Sequence, residues 1–446
     1  MCAATFLILV DYTAPMTTLP ATMVALDGDS TGQVWALNGM PLGLAAFLLV
    51  AGRLADDHGR RRLFVAGMAT LVPATVVSAL AGDLVTFVVS RIVQGAAGAA
   101  VIATTLGLIA QAYPAGQGRV RATGLWGVMV GAGIAAGPVV AGAVSAWRWN
   151  ACYWLIALFS AGLAVAGARG LRESRADARP GADVLGAAVW TVALLAAMTA
   201  LTETRNGGTG PLVLVPAGVS AVCLVGFVVR QRRTTKPLLA LHLLRNRTLL
   251  VATSGALVTG MSVIALTSYL PALLQSELAM TPLSAALVLL AWSATSAVAA
   301  LCMSRLRAVG AARQLILGLA ACAAGLAALI GTLGSGAWEW TVPGLAVTGV
   351  GSGLVNAALP RLAIDSVPAA YAAMGSGINN TARYVGSAIG FALLVGVVDP
   401  GEAQDSSLNV DGGVALAAGL ALTGAVGILG LDRMRRRHRE TTGTRS

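Results

Sequence analysis

The chain has 446 residues, 57% of them hydrophobic and only 11% charged, with a mean hydropathy of +0.78; so little polar surface excludes a soluble globule. The formal net charge of +11 does not point to nucleic acid, because no soluble basic domain exists to carry it. Membrane topology and attraction to anionic lipid account for it.

Apolar runs follow one another from the first residues onward. Spans are expected at 3–25, 33–52, 63–82, 85–111, 122–145 and 150–168, then at 184–202 and 211–229, then at 249–274, 282–303, 314–333, 341–363, 373–397 and 412–430. Each is about as long as a helix must be to cross ~30 Å of hydrocarbon, and in lipid a helix satisfies its own backbone. These fourteen segments predict an all-α integral membrane protein. A six-helix bundle is expected over 1–170, two inserted helices with their linkers over 171–245, a second six-helix bundle over 246–432 and a basic tail over 433–446.

Lys and Arg are retained on the cytoplasmic side of short loops. Even-numbered spans lead into stretches holding Arg53, Arg60 to Arg62, Arg172, Arg230, Arg232, Arg233, Lys236, Arg247, Arg307 and Arg433, whereas the opposite loops carry Asp27, Asp29, Asp83, Glu203 and Glu277. Both termini are therefore expected in the cytoplasm.

The first span holds Asp11, the only acidic residue well inside a span. An ionised carboxylate away from bulk water is costly, so Asp11 is the best candidate for a coupling-proton site; the alternative is a hydrated position near the end of a short first helix. Between the second and third spans, Gly52-Arg53-Leu-Ala-Asp56-Asp57-His58-Gly59-Arg60-Arg61-Arg62 reads as a densely charged cytoplasmic loop. Its spacing suggests a tight turn pinning an acidic group near a helix N-terminus, where the dipole favours negative charge. Arg91 in the fourth span keeps its proton, so Asp11, backbone carbonyls or a water-filled cavity must meet its charge, with Gln94 one turn away.

Gly133 and Gly137 in the fifth span match Gly386 and Gly390 in the thirteenth at a four-residue spacing, which lets helix backbones approach and hints at two related halves. Arg383 is either a second cavity charge, reading anionic substrate groups beside Asn379 and Asn380, or a lipid-phosphate ligand. Trp35, Trp126, Tyr269 and Trp292 suit either a permissive apolar pocket or helix packing.

The five cysteines are scattered without paired spacing, and His58, His242 and His438 lie in basic stretches, so no metal site is legible. No cluster of Asp, His and nucleophiles marks an enzyme. No GxxxxGK[ST] loop is present, which removes ATP as the direct energy source.

These residues resemble the major facilitator superfamily and, within it, the fourteen-helix drug:proton antiporters of bacterial multidrug and antibiotic efflux. The charged stretch Gly52 to Arg62 is similar to the family's loop between helices two and three. Arg91-Ile-Val-Gln94-Gly95 resembles its fourth-helix motif, and Gly133-Ile-Ala-Ala-Gly137-Pro138 its antiporter motif. Asp11-Tyr-Thr13 with Leu19-Pro20 resembles its first-helix signature, although Pro15 adds a break, Met16 stands where that signature has Asn and Met40 replaces a common Tyr. The resemblance implies two six-helix bundles plus two inserted helices in a bacterial plasma membrane, working as a monomer by alternating access. It implies small-molecule drugs or antibiotics, protons and membrane lipid as partners, a proton gradient in place of a cofactor, and no metal. Asp11 and Arg91 would couple protons. Gly52, Arg53, Asp56, Gly59, Arg60 and Arg61 would gate the cytoplasmic side, and Gln94, Gly95, Gly133, Gly137 and Pro138 would pack the helices. Trp35, Asn38, Trp126, Tyr269, Gln275, Asn379, Asn380 and Arg383 are the candidate cavity residues. A carrier passing or importing a hydrophilic metabolite on the same fold is the alternative.

Overall fold

A computed structural model describes residues 1–113, 117–174, 183–203, 210–234, 237–238, 243, 246–305, 310–333, 338–367, 372–398 and 406–443. Lys236, His242 and Arg307 lie outside the described residues, as do the side chains of Asp56 and His438.

Regular structure among the described residues is helical. The first span is two helices, α1 (Cys2–Thr13) and α2 (Pro15–Ala25), meeting at a 47° bend. Proline explains the break: Pro15 has no N–H to continue the ladder and its ring crowds the preceding turn. α3 (Ser30–His58), α4 (Arg60–Leu80), α5 (Leu84–Ala112), α6 (Gln117–Ser145) and α7 (Ala151–Gly170) complete the first six spans. The two helices expected as an insertion are α8 (Val184–Glu203) and α9 (Pro211–Arg233).

In the second half, α10 (Arg247–Thr259) runs through a π-helical turn at Gly260–Ile264 into α11 (Ala265–Leu278). α12 (Pro282–Arg305), α13 (Ala311–Ala327), α14 (Thr341–Asp365), α15 (Ala372–Val398) and α16 (Ser406–Gly443) follow. Among the described residues, twelve helices are long and apolar enough to cross a membrane, and the bent pair makes a thirteenth span. At the remaining expected position stands α13, an apolar helix of 17 residues, at the lower limit of a membrane-crossing length.

Caps set several helix starts. Asp29 Oδ1 accepts from Gly32 N at 2.7 Å, and Asp83 Oδ1 accepts from Thr86 N at 2.8 Å, which satisfies N–H groups the first turn leaves open. The backbone and side-chain hydrogen bonds from Thr86 hold Asp83 below the usual carboxylate range.

The charged stretch is a loop in one residue only. Gly52 to His58 form the last turns of α3, and Arg60 and Arg61 the first turn of α4. Gly59 alone reverses the chain, at φ +110°, where a side chain would be strained.

The helices cluster into two compact units, Met1–Leu239 with Ser268–Leu290, and Ala240–Thr267 with Ala291–Ser446. The same two close packings recur in each. A Cβ on Gly133 or Gly137 of α6 would strike Phe6 O or Val10 O of α1, and one on Gly386 or Gly390 of α15 would strike Leu257 O of α10 or Met261 O of the π turn. Gly95 of α5 lies against Met40 O and Gly43 of α3, and Gly349 of α14 against Trp292 O of α12.

Candidate functional site

Among the described residues of the first unit, one ion pair is fully buried on both sides. Arg91 on α5 and Asp11 on α1 are both fully buried, and Nη1 of Arg91 lies 2.7 Å from Asp11 Oδ1. Their meeting follows from the break in the first span. In an unbroken helix the N–H at position 15 would donate to the Asp11 carbonyl; Pro15 cannot, and Arg91 Nη2 takes that carbonyl at 2.9 Å. Arg91 Nη1 also donates to Gln94 Oε1 at 2.5 Å, and Nη2 approaches Met40 Sδ at 3.3 Å. The guanidinium carbon lies 5.7 Å from the ring centroid of Tyr153 on α7, within range of a cation–π attraction.

The network continues into α4. Gln94 Nε2 donates to Ser78 Oγ at 2.6 Å and to Ala74 O at 3.1 Å, and Ser78 Oγ lies 2.5 Å from Ser90 Oγ. One oxygen stands outside it: Asp11 Oδ2 is buried without a hydrogen-bond partner. An ionised carboxylate normally fills both oxygens with donors, and an orphaned buried acceptor is expensive.

A second cluster lies where α3, α4 and α7 end together. The carboxylate of Glu173 sits at the start of α4, its Oε1 accepting from Arg61 N at 3.0 Å and from Ser174 N at 3.0 Å. Arg60 N donates to Ser174 O at 2.8 Å, and Arg61 Nη2 to Ala168 O at 2.5 Å. Arg53 Nη2 reaches Pro237 O beyond α9 at 2.7 Å. Gly52 has open space around it.

The matching family model is that of the Major Facilitator Superfamily, over residues 1–391. The chain belongs to the Major Facilitator Superfamily. It is 30% identical over 433 residues to a probable actinorhodin transporter of Streptomyces coelicolor, covering 94% of this chain and 75% of that one. It is 28% identical to multidrug resistance protein Stp of Mycobacterium tuberculosis, covering 88% and 74%, and 29% identical to the tetracenomycin C resistance and export protein of Streptomyces glaucescens, covering 84% and 70%. Among solved structures, a mutant peptide transporter POT in complex with sulfate matches with a TM-score of 0.71 at 14% identity, covering 97% of this chain and 94% of that one. The human organic anion transporter MFSD10 matches at 0.63 and 15%, covering 96% and 98%. At these identities the solved structures speak to the fold alone. The chain is a multi-pass membrane transporter whose named relatives include antibiotic and multidrug export proteins.

The remaining candidates on this facilitator fold make contacts of their own. Trp126 Nε1 donates to Thr105 Oγ1 at 3.1 Å, Tyr269 OH lies 3.3 Å from Gln33 Oε1 and Gln275 Nε2 donates to Thr17 O at 2.9 Å. Asn38 is buried and Trp35 half-buried on α3. The Pro138 carbonyl accepts from Thr17 Oγ1 at 2.9 Å, so α2 is tied to α6. Asn379, Asn380 and Arg383 belong to the second unit. Tyr153, Ser78 and Glu173 escaped the sequence reading. Tyr153 and Ser78 carry a lone hydroxyl each in apolar runs, and Glu173 sits in a linker where an acid is unremarked.

Proposed function

We propose that this chain is a proton-coupled antiporter that exports drug-like or antibiotic small molecules across the bacterial plasma membrane by alternating access. The observation that carries the reading is the buried Asp11–Arg91 pair with Asp11 Oδ2 left open. A proton on Oδ2 neutralises Asp11 and leaves the guanidinium without its counter-charge, held by the Asp11 carbonyl, Gln94 and Tyr153. That change in charge balance favours a different arrangement of the surrounding helices, and coupling requires only that proton and cargo prefer different states. The Arg-rich ends of α3 and α4 face the cytoplasm in this reading, and Arg53, Gly59, Arg60 and Arg61 hold that side shut when the cavity opens outward. The export relatives supply the cargo class.

Everted vesicles energised by a proton gradient test it, with a panel of cationic, neutral and acidic aromatic antibiotics and an uncoupler as control. Gradient-driven uptake by the wild type, lost in Asp11→Asn at equal membrane expression, supports the reading. Uptake that persists in Asp11→Asn moves the coupling site elsewhere. If no compound moves under any gradient, the metabolite-carrier alternative replaces export.

A further inference from the structure

The second unit keeps one charge deep in a span with no acidic partner among the described residues. Arg383 lies on α15, eight residues into the apolar segment Gly375–Val398, about 12 Å of helix rise from its start. Its Nε is buried without a hydrogen bond. One turn earlier on the same face, Asn379 is 3% exposed and its Oδ1 is likewise unpartnered. A third orphan, Asn356 Oδ1, belongs to α14. Gly375 lies against Ala363 of α14 and Ala382 packs on the cluster containing Val355 and Leu359, so the antiparallel register brings Asn356 to the depth of Arg383.

A guanidinium inside a span is tolerated where it pairs or lines an aqueous cavity. The complement of these three side chains is an oxyanion with a hydroxyl beside it, because the guanidinium is a donor while the two orphaned carboxamide oxygens are acceptors that need one. The guanidinium fork donates in a plane to carboxylate-like oxygens, the open Asn379 and Asn356 oxygens would accept from a hydroxyl next to the acidic oxygen, and the arginine repels a cationic group. The backbone holds the arginine stiffly. Gly260, at the π turn, lies against the Arg383 carbonyl and Ser387 N, and Gly386 against Leu257 O. A π turn is a local distortion that recurs at functional sites, and here it sits against the residue carrying that charge.

We propose that Arg383, with Asn379 and Asn356, is an anion-recognition site, and that the cargo carries an acidic oxygen group such as a carboxylate, phenolate or enolate. The inference rests on the export reading above and names its substrate class. A lipid phosphate offers the same chemistry from another source.

The test reconstitutes the full chain in vesicles and measures transport of three probes: 1,2-dihydroxyanthraquinone, its dimethyl ether and tetraphenylphosphonium. The expected result is a KM for the acidic quinone about tenfold or more below that of the ether, as suits one charged hydrogen-bonded contact. That preference disappears in Arg383→Gln, is largely kept in Arg383→Lys and is reversed toward the cation in Asn379→Asp, with monodispersity in size exclusion confirming that each variant is folded. An acidic-quinone preference that survives in folded Arg383→Gln overturns the proposal. So does a wild type in which omitting phosphatidylglycerol slows all three probes alike while Arg383→Gln is insensitive to it, because the arginine then holds lipid. Gradient-driven movement of tetraphenylphosphonium without the quinone leaves export standing and refutes the anion site. Movement of no probe under any gradient removes the export reading, and this proposal with it.

Discussion

Four residues separate Asp11 from Pro15, the span of one helical hydrogen bond. The proline leaves the Asp11 carbonyl without its helical donor and Arg91 fills the vacancy, so the coupling candidate and the bend are one feature. Pro15→Ala restores an N–H that competes with Arg91 for the carbonyl. The expected outcome is a straighter first span and transport reduced about tenfold, in line with the ~1.5–3 kcal/mol of a hydrogen bond to a charged group; vesicle uptake reads the loss. Asp11→Ala strands the Arg91 charge and should cost about 3–5 kcal/mol, seen as a lower thermal midpoint in detergent. Asp11→Asn keeps an acceptor for Nη1 and should fall less. From sequence, Asp11, Arg91 and Gln94 were legible as isolated polar residues in apolar runs. That Pro15 supplies the acceptor was not, because a helical sequence does not say which distant side chain takes a freed carbonyl.

At the scale of elements, α8 and α9 are tied together, and to α3, at one end. Asp183, just ahead of α8, caps Gly186 N at 2.9 Å, pairs with Arg230 of α9 at 2.6 Å and accepts from Gln231 Nε2 at 3.1 Å. Trp190 and Ala187 of α8 pack with Val50 of α3, Phe227 of α9 and Leu238. Burial raises the Asp183 carboxyl, but the Arg230, Gly186 and Gln231 bonds outweigh it and leave it below its ordinary value. A depressed folded-state value means that the pair stabilises the hairpin fully above the unfolded carboxylate range near 3.8, and loses that contribution as pH falls through the lower folded value. Lowering the pH from 7 to 5 should therefore leave the hairpin intact, whereas Asp183→Asn should loosen it by about 1 kcal/mol, with Arg230 partly exposed and screened. Hydrogen exchange in the first turn of α8 reads both. The two helices themselves were legible in the sequence as apolar runs. The ion pair was not, since Asp183 and Arg230 are far apart in the chain and look like ordinary flanking charges.

Across the whole molecule, the repeat rests on glycine positions rather than on overall sequence similarity. The four-residue spacing pointed to close helix approach at Gly133 and Gly137 and again at Gly386 and Gly390, and the partners, α1 in one unit and α10 with its π turn in the other, came only from the fold. Sequence alone could not choose them, because a small residue specifies closeness and not against what. Each pair seats one helix of its unit directly on the backbone of another, so a side chain there cannot be absorbed by a rotamer change. Gly137→Val and Gly390→Val should thus behave alike although they lie in different units: each overpacks its contact by about 1–3 kcal/mol and reduces transport at least about tenfold, by the arithmetic of such a barrier. Gly162→Val on α7, where nothing lies within 4 Å, should leave both transport and thermal midpoint near the wild type. Vesicle uptake normalised to folded protein distinguishes the cases. A Gly390→Val chain as active as Gly162→Val would show that the second unit does not use its glycines as the first does, and the correspondence between halves would then be one of sequence spacing without shared mechanics.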